Sequence, residues 1–165
     1  MNMKLPFFTA LMLFVFTHSS HAQLKATPVC PTFSIDILDG SVNKLYPKMG
    51  LGEIKTRFPC YTSIVEVPSD SACAGIFFKD KGLYFYTDRN YIEATENYKG
   101  NMIPALMGAD RKSLFSTLGN PRIKDAGWEA YQMQYGTLVL YFSPAGKINK
   151  VQISNKSAET LKLCN

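Results

Sequence analysis

The sequence predicts an α+β protein made of two helix-plus-β-meander repeats, with the helices packed on one face of antiparallel sheet. Three observations predict it. Apolar–polar alternation recurs in short runs along the chain, as half-buried strands require. Two stretches with helical apolar spacing each end at a Pro or Gly terminator. The order of helix followed by turn-linked strands then occurs twice. Composition agrees: of 165 residues, 46% are hydrophobic and 19% charged, as in a foldable chain.

Taken in order, Met1 to Ala22 has the layout of a secretory signal peptide. Lys4 supplies the positive region, Leu5 to Phe16 is nearly unbroken apolar, and Ser20-His21-Ala22 places small residues before a cut. The apolar run is short for a membrane span. Residues 1–22 are therefore expected to be removed, leaving 23–165 as a single mature domain with no stable membrane anchor. Ala26-Thr27-Pro28-Val29, ahead of Cys30, lacks the small-residue lead-in of a lipid-acceptor cysteine. Only two histidines exist, His18 and His21, and both fall in the signal. A mature chain without imidazole excludes Ser-His-Asp and Cys-His catalysis and histidine-ligated metal.

Thr32 to Leu38 alternates Phe33, Ile35 and Ile37 with Ser34 and Asp36, a strand pattern, and Asp39-Gly40-Ser41 turns the chain. Leu51, Ile54 and Phe58 have helical spacing, and Pro59 ends that helix. Tyr61 to Val67 and Ala74 to Lys79 read as strands, and Lys79-Asp80-Lys81-Gly82 turns into Leu83-Tyr84-Phe85-Tyr86. In the second half Asp110 is the expected N-cap. Leu114, Phe115 and Leu118 form the expected apolar helix face, and Gly119 with Pro121 ends the helix. Trp128 to Tyr135, Thr137 to Phe142 and Lys147 to Ile153 follow as strands, the last turn being Pro144-Ala145-Gly146. Met49-Gly50 corresponds to Met107-Gly108, and Gly82 to Tyr86 corresponds to Gly136 to Phe142. These matches put repeat 1 at about 41–100 and repeat 2 at about 101–153, an offset longer than most solenoid periods.

The second half contains Leu118-Gly119-Asn120-Pro121, Trp128-Glu129-Ala130-Tyr131, and Leu140 through Ile148 around a Gly-containing turn. This resembles the small outer-membrane lipoprotein repeat, and two copies in one exported chain are similar to the β-lactamase inhibitor protein architecture. That resemblance implies helices on one face of an antiparallel sheet and a partner gripped by the other. Trp128 and Tyr131 have two residues between them where the repeat has one, and the lipid-acceptor cysteine of the lipoproteins is missing. No inhibitor contact residue carries over.

Cys30, Cys60, Cys73 and Cys164 all lie in the exported part, and an even number there predicts disulfides. Of three possible pairings, Cys60–Cys73 and Cys30–Cys164 are preferred. The first closes a short loop between strands and the second ties the domain's ends. Four-thiolate zinc binding needs close CxxC pairs that the sequence lacks, and no metal or cofactor is expected.

Within the strands, Leu83 and Phe85 point one way and Tyr84 and Tyr86 the other. Leu138, Leu140 and Phe142 likewise oppose Val139 and Tyr141. With the Leu/Phe face on the helices, Tyr84, Tyr86, Val139 and Tyr141 line the second face, with Trp128 nearby in sequence. Tyr and Trp combine contact area with a hydrogen-bonding tip, which suits a protein interface. Residues 23–100 carry nine basic and nine acidic side chains, whereas 101–165 carry eight and four. Arg111, Lys112, Lys147, Lys150, Lys156 and Lys162 are among the excess, which suits a partner with an acidic surface. No arginine-rich run marks nucleic acid, and no Gly-rich loop marks phosphate. Glu53, Asp110 and Glu129 sit in no recognisable carboxylate motif. The expectation is a periplasmic or secreted, non-catalytic protein-binding module. An inhibitor or immunity protein against an envelope-acting toxin or hydrolase fits best, with an envelope assembly or maintenance scaffold as the alternative.

Overall fold

The computed structural model describes residues 29–69 and 73–164, so the expected signal segment and its two histidines lie outside the described residues. The described residues form an α+β fold, mostly antiparallel sheet, with two short helices among them. A small sheet combines β1 (Ser34–Asp36), β2 (Ser41–Val42) and β7 (Asn101–Ile103), with β1 at its centre. The large sheet holds β3 (Ser63–Val65), β4 (Gly75–Phe78), β5 (Leu83–Tyr86), β6 (Tyr91–Thr95), β8 (Ile123–Lys124), β9 (Trp128–Met133), β10 (Gly136–Phe142) and β11 (Ile148–Ser154). Its spatial order is β3-β4-β5-β6-β11-β10-β9-β8, and every neighbour is antiparallel.

Helix α1 (Leu51–Arg57) buries Ile54, and Phe58 follows immediately as its buried cap. The Phe58 N–H still donates to the Ile54 carbonyl at 2.8 Å, but Pro59 pushes Phe58 out of helical backbone and the helix stops. Phe58 meets Phe33 at 4.9 Å between ring centroids, and both contact Phe78 edge-on. Full burial of such a ring stabilises by roughly 1.5–3 kcal/mol, so this cluster fixes α1 and the N-terminal segment against β4 and β5. Helix α2 (Phe115–Leu118) has only four residues and follows a 3-10 turn at Arg111–Ser113. The expected three-residue apolar face is narrower in fact: Leu114 is buried, Leu118 half-buried, and Phe115 is 67% exposed. Each helical residue rotates about 100°, so the pair four apart shares a side and Phe115 is turned out.

The backbone carries two close approaches. Gly40 has φ +70° and lies flat against the Tyr135 ring, where any Cβ would enter the ring itself. A Cβ at Gly75 would collide with the Phe85 carbonyl and the Phe77 ring. The first approach docks the β1–β2 turn onto the β9–β10 turn.

The disulfides are Cys30–Cys60 and Cys73–Cys164, with Cα separations of 5.4 and 6.1 Å. This corrects the expected Cys60–Cys73 and Cys30–Cys164 pairing, and with no free cysteine described it removes the zinc reading. The β3–β4 register explains the correction. Ser63 faces Phe77 and Val65 faces Gly75, so Cys60 extends toward Asp80 while Cys73 lies at the opposite end of the pair. Cys60 instead meets Cys30 because Phe33, three residues on, packs against Phe58. Two disulfides are the mark of maturation in an oxidising compartment.

Candidate functional site

Because paired residues share a face, the sheet register assigns each side chain. Ile76, Phe85, Ile92, Ile153, Leu138 and Tyr131 align across the core face. On the other face, one row runs Ser63, Phe77, Tyr84, Glu93, Gln152, Val139, Ala130 and Ile123 across all eight strands. A neighbouring row contains Thr95, Lys150, Tyr141 and Trp128, and another contains Val65, Gly75, Tyr86, Tyr91 and Ser154. Tyr84, Tyr86, Trp128, Val139 and Tyr141 thus share this second face, but they do not share one environment.

On the β3–β6 side the face is open. Tyr84 and Tyr86 stack with centroids 6.5 Å apart, and Phe77 lies 5.9 and 5.3 Å from them. Together with Ser63, Val65 and Lys79 they line a depression of about 250 Å³. Burial, assisted by the Glu93 charge, pushes the Tyr86 phenol up to about 12. Tyr86 also stacks at 4.4 Å on Tyr91, which is fully buried.

The middle of the face is polar. Gln152 Nε2 donates to Glu93 Oε2 at 2.7 Å, and the Tyr141 hydroxyl donates to Gln152 Oε1 at 3.1 Å. Lys150 sits 3.8 Å from Glu93 and 4.0 Å from the Tyr141 ring centroid. This lysine is held by a carboxylate and a π face at once. A groove of about 480 Å³ opens here, with Tyr84 on one wall and Tyr141 and Lys150 on the other.

The third part is covered. After β11 the chain runs back over the second face as a strap, residues 155–164. Thr137 Oγ1 donates to the Lys156 carbonyl at 2.7 Å, Arg122 reaches Glu159 at 3.4 Å, and the Cys164 N–H donates to the Tyr91 hydroxyl at 3.1 Å. The Cys73–Cys164 bond then pins its end. Ala158, Leu161 and Leu163 of the strap, with Ile123, Trp128, Ala130, Val139 and Tyr141 of the sheet, line a partly open pocket of about 110 Å³. Val139 is only 2% exposed in consequence. It belongs to the floor of that pocket rather than to an open surface. The strap lies beyond the expected end of repeat 2. Its sequence signal is the Leu161-Lys162-Leu163 alternation leading into Cys164.

The basic excess of the second half is largely engaged. Arg111 Nε donates to Glu129 Oε1 at 2.9 Å, while Nη1 and Nη2 donate to the carbonyls of Ala126 and Asp125 at 2.8 and 2.6 Å. Its guanidinium also covers the Phe142 ring at 4.7 Å. Lys147 pairs with Asp110 at 2.8 Å. Lys112, Lys156 and Lys162 are exposed. Of the carboxylates considered for catalysis, Glu129 is buried against Arg111 and the Tyr131 hydroxyl, Asp110 is on Lys147, and Glu53 is exposed on α1. Among the described residues no cluster of three or more His, Cys, Asp or Glu is placed to hold a metal, and no helix is long and apolar enough to cross a membrane.

Against known proteins the chain matches no family model, no curated protein and no solved structure.

Proposed function

We propose that the chain is an exported, non-catalytic protein-binding module that works in the periplasm or outside the cell as an inhibitor or immunity protein against an envelope-acting toxin or hydrolase. The observation that carries this reading is the open part of the second face. Tyr84 and Tyr86 stack beside Phe77, and the groove continues from Tyr84 to Tyr141 and Lys150. Aromatic rings with polar tips, a central lysine and flanking depressions suit a protein interface whose anchors are buried on binding. The disulfides support a location in an oxidising compartment.

The finer architecture is part of the same proposal. We infer that the two four-strand runs derive from one helix-plus-meander unit used twice. The order β3-β4-β5-β6 followed by β11-β10-β9-β8 supports it, since a two-fold axis between β6 and β11 exchanges the runs. That axis sets Tyr84 against Val139 and Tyr86 against Tyr141. The strap covers the β8–β10 side and reaches the other half only at Tyr91 and Cys73, so the surface around Phe77, Tyr84 and Tyr86 is the one available to a partner.

Affinity capture from periplasmic extract, with mass spectrometry, tests the reading. The wild-type chain should retain a partner whose enzymatic or toxic activity falls on binding. Changing Tyr84, Tyr86 and Tyr141 together to Ser should abolish capture while circular dichroism stays unchanged. Undiminished capture by that folded variant refutes the tyrosine face. Capture of an envelope-assembly component with no loss of any activity refutes the inhibitor role in favour of the scaffold.

A further inference from the structure

We propose that the pocket between the strap and the sheet is a binding site for one small, neutral, apolar molecule of single-ring size. The inference does not rest on the protein-binding reading, because its walls are the covered part of the face. Five side chains of the sheet form the floor, and Ala158, Leu161 and Leu163 form the roof. The lining contains no charged residue, and the hydroxyl of Tyr141 is already committed to Gln152. A charged guest would lose part of its hydration there, and no charged side chain of the lining replaces it. The volume of about 110 Å³ is of the order of an apolar cavity that admits benzene, about 150 Å³.

The roof is built from sequence that suits the task. Along Leu161-Lys162-Leu163 the two leucines are half-buried and Lys162 is exposed, as alternation in an extended segment requires. Between the anchors at Lys156 and Cys164, the strap's own backbone bonds are a single turn, in which the N–H groups of Thr160 and Leu161 donate to the Ser157 carbonyl. Its position over the sheet is fixed by Thr137 at the start, by Arg122 on Glu159 in the middle, and by Tyr91 and Cys73 at the finish. Of these attachments the Cys73–Cys164 bond is the covalent one, and it holds the end of the strap next to Leu161 and Leu163. Binding is accordingly coupled to the Cys73–Cys164 bond.

Trp128 is the only tryptophan in the chain and lines this pocket, so its emission reads the site directly. The disulfide-bonded protein is titrated with toluene, and separately with benzoate and benzylammonium as charged analogues of similar shape. Toluene should give a saturable change, and both charged analogues should bind at least about tenfold more weakly. Ala158→Leu, placed on the half-buried strap, should fill the space and remove saturation with little change in melting temperature. Replacing Cys73 and Cys164 together by Ser should weaken toluene by at least about fivefold. A non-saturable response, equal binding of the charged analogues, or undiminished toluene binding by Ala158→Leu overturns the proposal. If that variant fails to fold, toluene-induced shifts of the Leu161 and Leu163 methyl resonances in the wild-type protein decide: their presence supports the site and their absence overturns it.

Discussion

Replacing Arg111 by Met removes the partner of a carboxylate that cannot reach water. The Glu129 side chain is 4% exposed, and without Arg111 it keeps the Tyr131 hydroxyl, with Lys124 standing 3.9 Å off. Leaving a buried charge uncompensated costs about 3–5 kcal/mol, whereas water can take the place of Arg111 on the carbonyls of the exposed Asp125 and Ala126. With a urea dependence of about 1–3 kcal/mol per molar, the unfolding midpoint should fall by roughly 1–5 M with an unchanged slope. The assay is equilibrium urea unfolding followed by Trp128 emission, since that residue adjoins Glu129 in β9. Adding Glu129→Gln should recover at least about half of the loss, because an amide still accepts from Tyr131 and carries no charge. A single-variant loss under about 1 kcal/mol, or a double variant no more stable than the single, would show that charge burial is not what Arg111 neutralises.

Two further outcomes follow from buried phenols. Among the described residues the Tyr135 hydroxyl is buried without a hydrogen-bond partner, so Tyr135→Phe should raise stability by about 1 kcal/mol in the same urea assay, and a clear destabilisation would contradict that geometry. Burial also raises the phenols of Tyr86, Tyr91, Tyr98, Tyr131, Tyr135 and Tyr141, Tyr86 to about 12 from an ordinary 10.0. The folded chain therefore holds these protons more tightly than the unfolded one. Stability should be intact below pH 10.0 and fall as pH rises toward 12. Ultraviolet phenolate absorbance should then show a late group of tyrosines ionising together with loss of the far-ultraviolet signal, whereas a single smooth phase near the ordinary value would refute it.

The strands with local alternation were legible from sequence. β5 follows Gly82, β10 begins at Gly136, and both show clean two-residue periodicity, so their faces follow from residue order alone. β6 lacks the strict alternation of β5 and β10, although Tyr91-Ile92-Glu93-Ala94-Thr95 is rich in strand formers and follows an Asp88-Arg89-Asn90 turn. It is the strand that joins the two halves of the sheet, through Lys150 to Ser154 of β11. β7 carries no local signal because its pairing with β1 is parallel and spans over sixty residues. The five candidate binding residues were assigned to one face by periodicity. Which of them stay open was not legible, because that depends on a strap whose path is set by Cys73, far away in sequence. Arg111 was visible only as charge. Its role depends on Glu129 facing the core from a strand whose neighbours Ala130 and Trp128 face the other way.

The two disulfides join the first cysteine to the second and the third to the fourth. If the chain enters an oxidising compartment N-terminus first, as the proposed export requires, Cys30 and Cys60 meet an oxidant together, before Cys73 has emerged. Cys164 arrives last, when the other three are already spoken for or waiting. An oxidase that links thiols in their order of appearance therefore makes the native set directly. Maturation of this chain should need a thiol oxidant but no disulfide isomerase, and the strap should close only after the sheet beneath it has formed.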